Sequence, residues 1–444
     1  MPQTIPTVSI ADSVAFNLCQ IVPYYLRGIF TKNEFWISFW NKVHPDPLAV
    51  NLIRRLRQKY KSNYFYIYLL KTKSLVVLDL DGITRVLDHS PTPYAADPDL
   101  KRKGMSHFQP NALTISRGEE WKDRRQFNEA VLASGERLHP LADQFLRAID
   151  QATERLTANA GQYLVWDHFD HLFKRVALEI IFGHEVRDDT ALAERLTAMM
   201  RESNRVFLLS KSKEFDLFYE RIRHYLESAQ TGSLAAMCKH APSTAQTKVE
   251  NQIPHWMFAM METLATNTMR ALALIVSHPN VESRVRQEIQ ENGAQTPKGI
   301  DRLSLLEGCI QEAMRLWPTT PMLMRQTVQD DVLGGNTIPS GTQVVILNGF
   351  NHRDWETNPD AGNFCPDFWL DKRSDYRFNH LSNGTQVCAG KSLALFIAKA
   401  VIGTLLVRGR YVLIKPKFNR LKALPFQYDD FCTRFEYFRP FHAP

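Results

Sequence analysis

The residues of this chain with evident chemical capacity fall into a few short stretches. Cys388 lies in residues 381–390, LSNGTQVCAG, flanked by Gly384 and Gly390 and followed at once by the apolar run 391–400, KSLALFIAKA. A cysteine so placed projects from a tight loop at a helix N-terminus, where backbone N–H groups and the helix dipole lower the thiol pKa. A thiolate held against a flat cofactor is one of the few ways a protein controls iron and oxygen chemistry. Taken alone, the thiol reads first as a small buried hydrophobe ahead of a C-terminal helix. Glu262 and Thr263, with Thr266 and Asn267, fall in the middle of the most apolar long segment, residues 254–277. As a helix that segment is about 35 Å long, and a helix apolar all round belongs in a core. An unpaired acid there costs several kcal/mol, so Glu262 is either a satisfied structural partner or a proton-handling group. Both readings stay open at this point. Glu312 and Arg315, spaced i, i+3, share one helix face, as solvated surface pairs also do. Trp121 and Arg125 stand one turn apart and face the same way.

These residues need elements to hold them. Residues 47–60 read as a helix, 65–70 and 74–79 as two short strands, and 81–87 as a helix. From 118 to about 275, and again over 282–317, apolar residues recur at three- and four-residue spacing, which predicts helix. Beyond Pro318 turn residues alternate with β-branched runs, and 411–441 is rich in strand formers. The fold class expected is mainly α with a minor β portion.

The 444 residues are 44% hydrophobic and 23% charged, ordinary for a globular protein. No Gly/Ser tract, charge block or repeat marks a linker, so residues 46–444 read as a single domain preceded by a segment 1–45. The six cysteines show no C-x-x-C spacing, which argues against a zinc site or a disulfide framework and for a reducing, cytoplasmic compartment. The N-terminus lacks the features of a signal peptide. The apolar stretch 14–26 is interrupted by Asn17, Gln20 and Pro23 and is too short to span a bilayer, which leaves peripheral membrane contact through 1–45 as an alternative. A net charge of +7 implies an anionic partner or surface. Nucleic acid is disfavoured, because the basic residues are dispersed and no recognition motif accompanies them.

Several motifs, in order and at matching spacings, resemble the cytochrome P-450 family of haem-thiolate monooxygenases, from about residue 45 to the end. The stretch ending at Gly390 resembles the haem-binding loop F-x-x-G-x-x-x-C-x-G. The resemblance makes Cys388 the axial iron ligand, with Gly384 and Gly390 matched and with Leu381 and Gln386 replacing the usual Phe and basic residue. Glu312 and Arg315 resemble the structural E-x-x-R pair. Its customary third member, an arginine, is replaced by Phe368, with Arg353 and Arg373 as possible substitutes. Arg325 resembles the strand arginine that reaches a haem propionate, and Trp121 and Arg125 resemble the W-x-x-x-R propionate donors. Ala259, Met260, Glu262 and Thr263 resemble the oxygen-activation motif A-G-x-[DE]-T. Met260 replaces its glycine and is expected to narrow or reshape the groove above the iron, while Glu262 and Thr263 remain as the proton relay. The triplet His352-Arg353-Asp354 resembles a kinase catalytic loop, but Pro359 stands where that loop needs Asn. It matches instead the H-R-D of this family.

The resemblance implies a triangular helical domain with a long central helix over haem b and small β sheets. The implied reaction inserts one oxygen atom of dioxygen into a hydrophobic substrate such as a fatty acid, terpenoid, steroid or polyketide. Electrons would come from a ferredoxin with its reductase or from a flavin reductase, docking near Lys391, Arg124 and Arg125 on a monomer. The implied pocket includes Phe258, Met260, Met322 and Leu323, with further candidates near Phe108–Ile115, Phe207–Phe218, 319–324 and Phe431. Alternatives are a peroxide-dependent peroxygenase or isomerase and a non-catalytic haem sensor.

Overall fold

The expected central helix runs without a break across residues 253–277 of the computed structural model, which describes residues 4–159, 161–205, 210–371, 375–419 and 422–439. It is α-helical over Ile253–Phe258, widens to a π turn over Ala259–Leu264, and returns to α geometry over Ala265–Ser277. Pro254 sits in its first turn, where a missing N–H costs nothing. Every side chain from Ala265 to Ile275 is buried, as an all-round apolar sequence requires.

Helices Trp166–Phe182 and Ser304–Leu316 pack against this rod. The C-terminal helix Lys391–Arg408 packs on Ala142–Asn159, and its burial extends over Leu393, Phe396, Ile397, Val401 and Leu405. Each such side chain contributes about 1.5–3 kcal/mol by leaving water, so this apolar block fixes where the helix starts and hence where the Cys388 loop ends.

The β portion comprises strands β1 (Tyr64–Leu69), β2 (Thr72–Val77), β3 (Tyr94–Ala95), β4 (Tyr163–Val165), β5 (Leu323–Thr327), β6 (Asp331–Leu333), β7 (Asn336–Ile338), β8 (Gln343–Ile346), β9 (Arg410–Lys415) and β10 (Arg434–Phe438). One sheet has the order β1-β2-β8-β5-β3, a second β4-β10-β9, and β6 and β7 form a hairpin. Pairing of β2 with β8 is parallel, and β5 lies antiparallel to β8 with Arg325 opposite Val344. The strand β4 interrupts a stretch expected to be helical throughout, because Leu164 pairs with Phe435 and both are fully buried.

The segment 1–45 is not a mere appendage. It forms helical turns over Ile10–Phe16, Asn17–Ile21 and Val22–Arg27, then Glu34–Val43. Between them residues 28–32 form a strap. Gly28 opens it at φ +93, and a Cβ there would lie 2.0 Å from the Thr31 carbonyl oxygen, a conformation and clearance only glycine supplies. Asn204 then grips the strap: its Oδ1 accepts from the N–H groups of Ile29 and Phe30 at 2.9 and 2.8 Å, and its Nδ2 donates to Thr31 O at 2.7 Å.

The pair expected to be structural is buried in the scaffold. Arg315 donates to Glu312 at 2.6 and 2.8 Å and to the carbonyls of His352, Ala361 and Asn363. Glu312 also accepts from Trp369 Nε1 and from the Cys365 N–H, both at 2.9 Å. The remaining carboxylate capacity is therefore filled by an indole and a backbone amide. Arg353 turns away, donating to the carbonyls of Leu316, Leu424 and Pro425, and Arg373 lies outside the described residues. His352 Nε2 accepts from the Asn379 N–H at 2.9 Å while Nδ1 faces Arg315 O at 3.2 Å. The H-R-D triplet thus ties the Arg315 helix to the segment leading into the Cys388 loop.

Candidate active site

A cavity of about 1160 Å³ lies between the central helix and the Cys388 loop. Cys388 faces into it. The loop is pinned from several sides: the Cys388 N–H donates to Leu381 O at 2.9 Å, and Arg125 Nη1 donates to Val387 O at 2.7 Å. Ser134 Oγ bonds to Ala389 O. Gly384 has φ +67, and a Cβ on it would lie 2.3 Å from Leu87 O, so the loop packs on the helix Leu80–Asp88 only with glycine there. At Gly390 a Cβ would meet only Leu132, at 3.7 Å; this glycine lines the cavity.

The expected lowering of the thiol pKa does not appear in the protein alone. Burial pushes the Cys388 thiol up, and the Gly390 N–H, Arg125 and Lys391 pull the other way without cancelling it. The side chain itself is open to the cavity at the N-terminus of the helix Lys391–Arg408. A metal ion, by contrast, deprotonates a coordinating thiol outright.

Across the cavity the π turn presents Ala259, Met260, Glu262 and Thr263 to the same space. A π turn widens the helix locally, and Met260, in the place of the expected glycine, forms part of the cavity wall on this turn. Burial pushes the Glu262 carboxyl up, and Lys32 pulls it down. Phe258, Met322 and Leu323 also line the cavity.

Of the residues expected to bind the cofactor, Trp121, Arg125, Ala259, Arg325, Leu381, Gln386, Cys388 and Gly390 all border this one cavity; Gly384 shapes the loop from behind. Arg325 and Lys101, on its wall, have no carboxylate partner among the described residues; Arg353 has none either, but it is spent on backbone carbonyls. Arg325 is 4% exposed and donates to Ser90 Oγ and to the Met324 carbonyl. Lys101 Nζ donates only to the carbonyls of Ala96 and Thr114, and burial next to Arg325 pushes its pKa down to about 7. Arg325 and Lys101, lining the same cavity as Cys388 without carboxylate partners, with His255 Nδ1 also unpartnered, fit a flat, doubly anionic group such as haem. Lys101 was not evident from the sequence, since only the fold brings it beside Arg325.

Other expectations are corrected. Arg124 is 3% exposed, donating to Gln246 O and paired with Glu120, so it is not free to meet a partner. Arg125 is held by Glu129 and the loop, which leaves Lys391 exposed at the helix start. The loop expected over Phe108–Ile115 lines the cavity through Leu113 and Thr114 and the tail through Phe426 and Tyr428, whereas Phe108 and Phe218 are fully buried in the core and Phe431 packs on Trp166. Phe207 lies outside the described residues. The unforeseen lining is the strap: Gly28, Phe30, Thr31 and Lys32 all border the cavity.

The family model described as Cytochrome P450 matches residues 32–253 and 234–415. Among curated proteins the chain is similar to cytochrome P450 136 of Mycobacterium tuberculosis, 26% identical over 62% of this chain and 62% of the relative's length. It is also similar to cyclooctat-9-en-7-ol 5-monooxygenase of Streptomyces melanosporofaciens, 25% identical over 68% of this chain and 72% of that protein. The aligned part thus spans about three-fifths of the first relative. A cyanobacterial CYP120A1 structure with retinoic acid bound shares the fold at TM-score 0.71 and 18% identity, covering 87% of this chain and 94% of that one. Because the family model runs through both the central helix and the strand and helix that carry Glu312, Arg315 and Arg325 and on past Cys388, the protein belongs to the cytochrome P450 family, whose cofactor is haem.

Proposed function

We propose that the protein is a haem-thiolate monooxygenase acting on a hydrophobic small molecule, with residues 46–444 as its oxygenase domain. The observation that carries this reading is the placement of Cys388 and of Glu262 with Thr263 on opposite walls of one largely apolar cavity. Cys388 is the iron ligand, and Arg325, Arg125, Trp121 and Lys101 hold the two propionates. When bound, the haem supplies dioxygen activation, which electron donation from a thiolate favours. The chain supplies orientation, proton control and exclusion of bulk water. Thr263 and Glu262 deliver protons from the helix side, Glu262 recovering each from solvent water. Phe258, Met260, Met322 and Leu323 hold the substrate.

A hydrophobic substrate is also consistent with the names of the relatives, a cyclooctatenol monooxygenase and a retinoic-acid-bound protein. Electrons come from a separate acidic carrier, a ferredoxin or a flavin reductase, that meets the exposed Lys391 side. Steady-state product formation with NAD(P)H and carriers, set against peroxide alone, tests the reaction class. Product with peroxide only would replace this reading with a peroxygenase.

We further propose a cytoplasmic protein that touches anionic membrane. Among the described residues no helix is long and apolar enough to cross a bilayer. Ile10, Val14 and Leu18, and likewise Phe35, Phe39 and Val43, recur every four residues on exposed faces. Lys71 and Lys73 stand on the hairpin that Asn17 ties to the first of these faces. Apolar stripes flanked by lysines suit an anionic lipid surface. Co-sedimentation with anionic but not neutral vesicles is expected, and equal recovery with both would refute it.

A further inference from the structure

The central helix meets an unexpected partner at Glu262. Lys32, at the end of the strap 28–32, donates through Nζ to Thr266 Oγ1 at 2.5 Å and to Asp430 Oδ2 at 2.6 Å. Its backbone N–H faces Glu262 Oε1 at 3.4 Å. Thr266 Oγ1 in turn donates to the Glu262 carbonyl oxygen at 2.8 Å. Lys32 is therefore linked to both ends of Glu262, the carboxylate through its own N–H and the main chain through Thr266. Arg270 closes the cluster, with two bonds to Asp430 at 2.8 and 2.7 Å and one to Trp317 O.

Charge bookkeeping gives this arrangement a consequence. Burial pushes Asp430 up, but Arg270 and Lys32 hold it below the usual carboxylate range, so it is ionised. Lys32, Arg270 and Asp430 then sum to one positive charge, which an ionised Glu262 neutralises. Without Lys32, Arg270 and Asp430 neutralise each other, and Glu262 is left in an apolar wall where the protonated form is favoured. The family match begins at residue 32, so the glycine turn and the strap residues Ile29, Phe30 and Thr31 lie outside it, while Asn204 that holds them lies within.

We infer that Lys32 is a positioning residue for proton delivery: the N-terminal strap inserts it against the central helix, where it orients Glu262 and sets the balance between its ionised and protonated forms. This rests on the relay assigned to Glu262 above. The charged groups that face Glu262 are Lys32, Asp430 and Asp170, the last from helix Trp166–Phe182 and itself bonded to Lys174 at 2.6 Å. Lys32 is the cation among them; its ammonium acts on the carboxylate through space while its backbone N–H faces Oε1, so removal of the charge dominates the response.

The test is an infrared titration of the ferric holoenzyme, following the carboxylic C=O band that Glu262→Gln abolishes, together with the fraction of electron pairs recovered as product. Lys32→Met is expected to raise the band's midpoint by about one pH unit, a tenfold change in the equilibrium. It should also lower that recovered fraction about tenfold, with Lys32→Arg restoring both. Asn204→Ala removes three strap bonds and no charge, and should shift the same midpoint upward by less. This variant carries the test if Lys32→Met fails to fold. Unchanged midpoints in Lys32→Met, or in Asn204→Ala where only that variant folds, would overturn the inference. If Glu262→Gln itself leaves product recovery intact, the relay assignment fails instead.

Discussion

Replacing Trp369 by Phe isolates one bond in the scaffold beneath the cavity. The ring contacts with Phe368, Phe378 and His380 are largely kept, while Glu312 loses the indole N–H at 2.9 Å. A hydrogen bond to a charged group contributes about 1.5–3 kcal/mol, and partial exposure of the indole trims this to about 1–2 kcal/mol. Glu312→Gln is more severe, because it unpairs an Arg315 side chain only 2% exposed. Loss of one partner of a buried ion pair costs about 3–5 kcal/mol, and the three carbonyls that remain on Arg315 hold the cost near the lower figure. For 444 residues the unfolding entropy is about 0.9 kcal/mol per degree, so Trp369→Phe should lower Tm by about 1–2 °C and Glu312→Gln by about 3 °C. Because both changes act on one carboxylate, the double variant should fall short of the sum by about 1 kcal/mol. Circular dichroism melts of the holoprotein, with haem absorbance followed in parallel, measure all three. A Trp369→Phe Tm equal to that of the parent, or strict additivity in the double variant, would refute the idea that Trp369 fills the place of a third arginine.

Other outcomes follow from the same geometry. Arg325→Leu, and separately Lys101→Met, should weaken haem retention about tenfold in a transfer assay to apomyoglobin, since each removes a buried cation from a propionate; unchanged retention would mean the carboxylates lie elsewhere. Gly384→Ala should cost at least about 1–3 kcal/mol because its φ is positive and a Cβ would lie 2.3 Å from Leu87 O, and a parent-like Tm would contradict that packing. Burial, helped by Arg315, depresses His352 to about 3 from 6.5, so the unfolded chain takes up a proton first as pH falls. Stability is full above pH 6.5 and is lost toward pH 3, at up to about 1.4 kcal/mol per unit; His352→Gln should flatten the Tm–pH slope in that window. Lys391→Glu should slow reduction by an acidic carrier, with the gap closing at high salt; a salt-independent gap would point to a structural defect.

What the sequence disclosed and what it hid divide by range along the chain. The helix expected at 47–60 is Pro45–Tyr60, the strands at 65–70 and 74–79 are Tyr64–Leu69 and Thr72–Val77, and the helix at 81–87 is Leu80–Asp88. Each is written in apolar spacing over a few neighbours, a signal local by nature. The cavity residues from Trp121 to Gly390 were legible because motif spacing stands in for geometry. Lys32, Lys101 and Trp369 were not, because each acquires its role from partners far along the chain: Asp430, Arg325 and Glu312. Nothing in residues 28–32 announces a strap until Asn204 closes on it. The π turn was equally hidden, since its residues are as apolar as their α-helical neighbours and the change lies in hydrogen-bond register.

The central claim is that Cys388 ligates haem iron as a thiolate. The carbon monoxide difference spectrum of the reduced protein measures this directly. The parent should give the thiolate-type band and Cys388→Ser should lose it while retaining the fold by circular dichroism. A Cys388→Ser protein that keeps that band, or a folded haem-loaded parent that never shows it, would contradict the assignment.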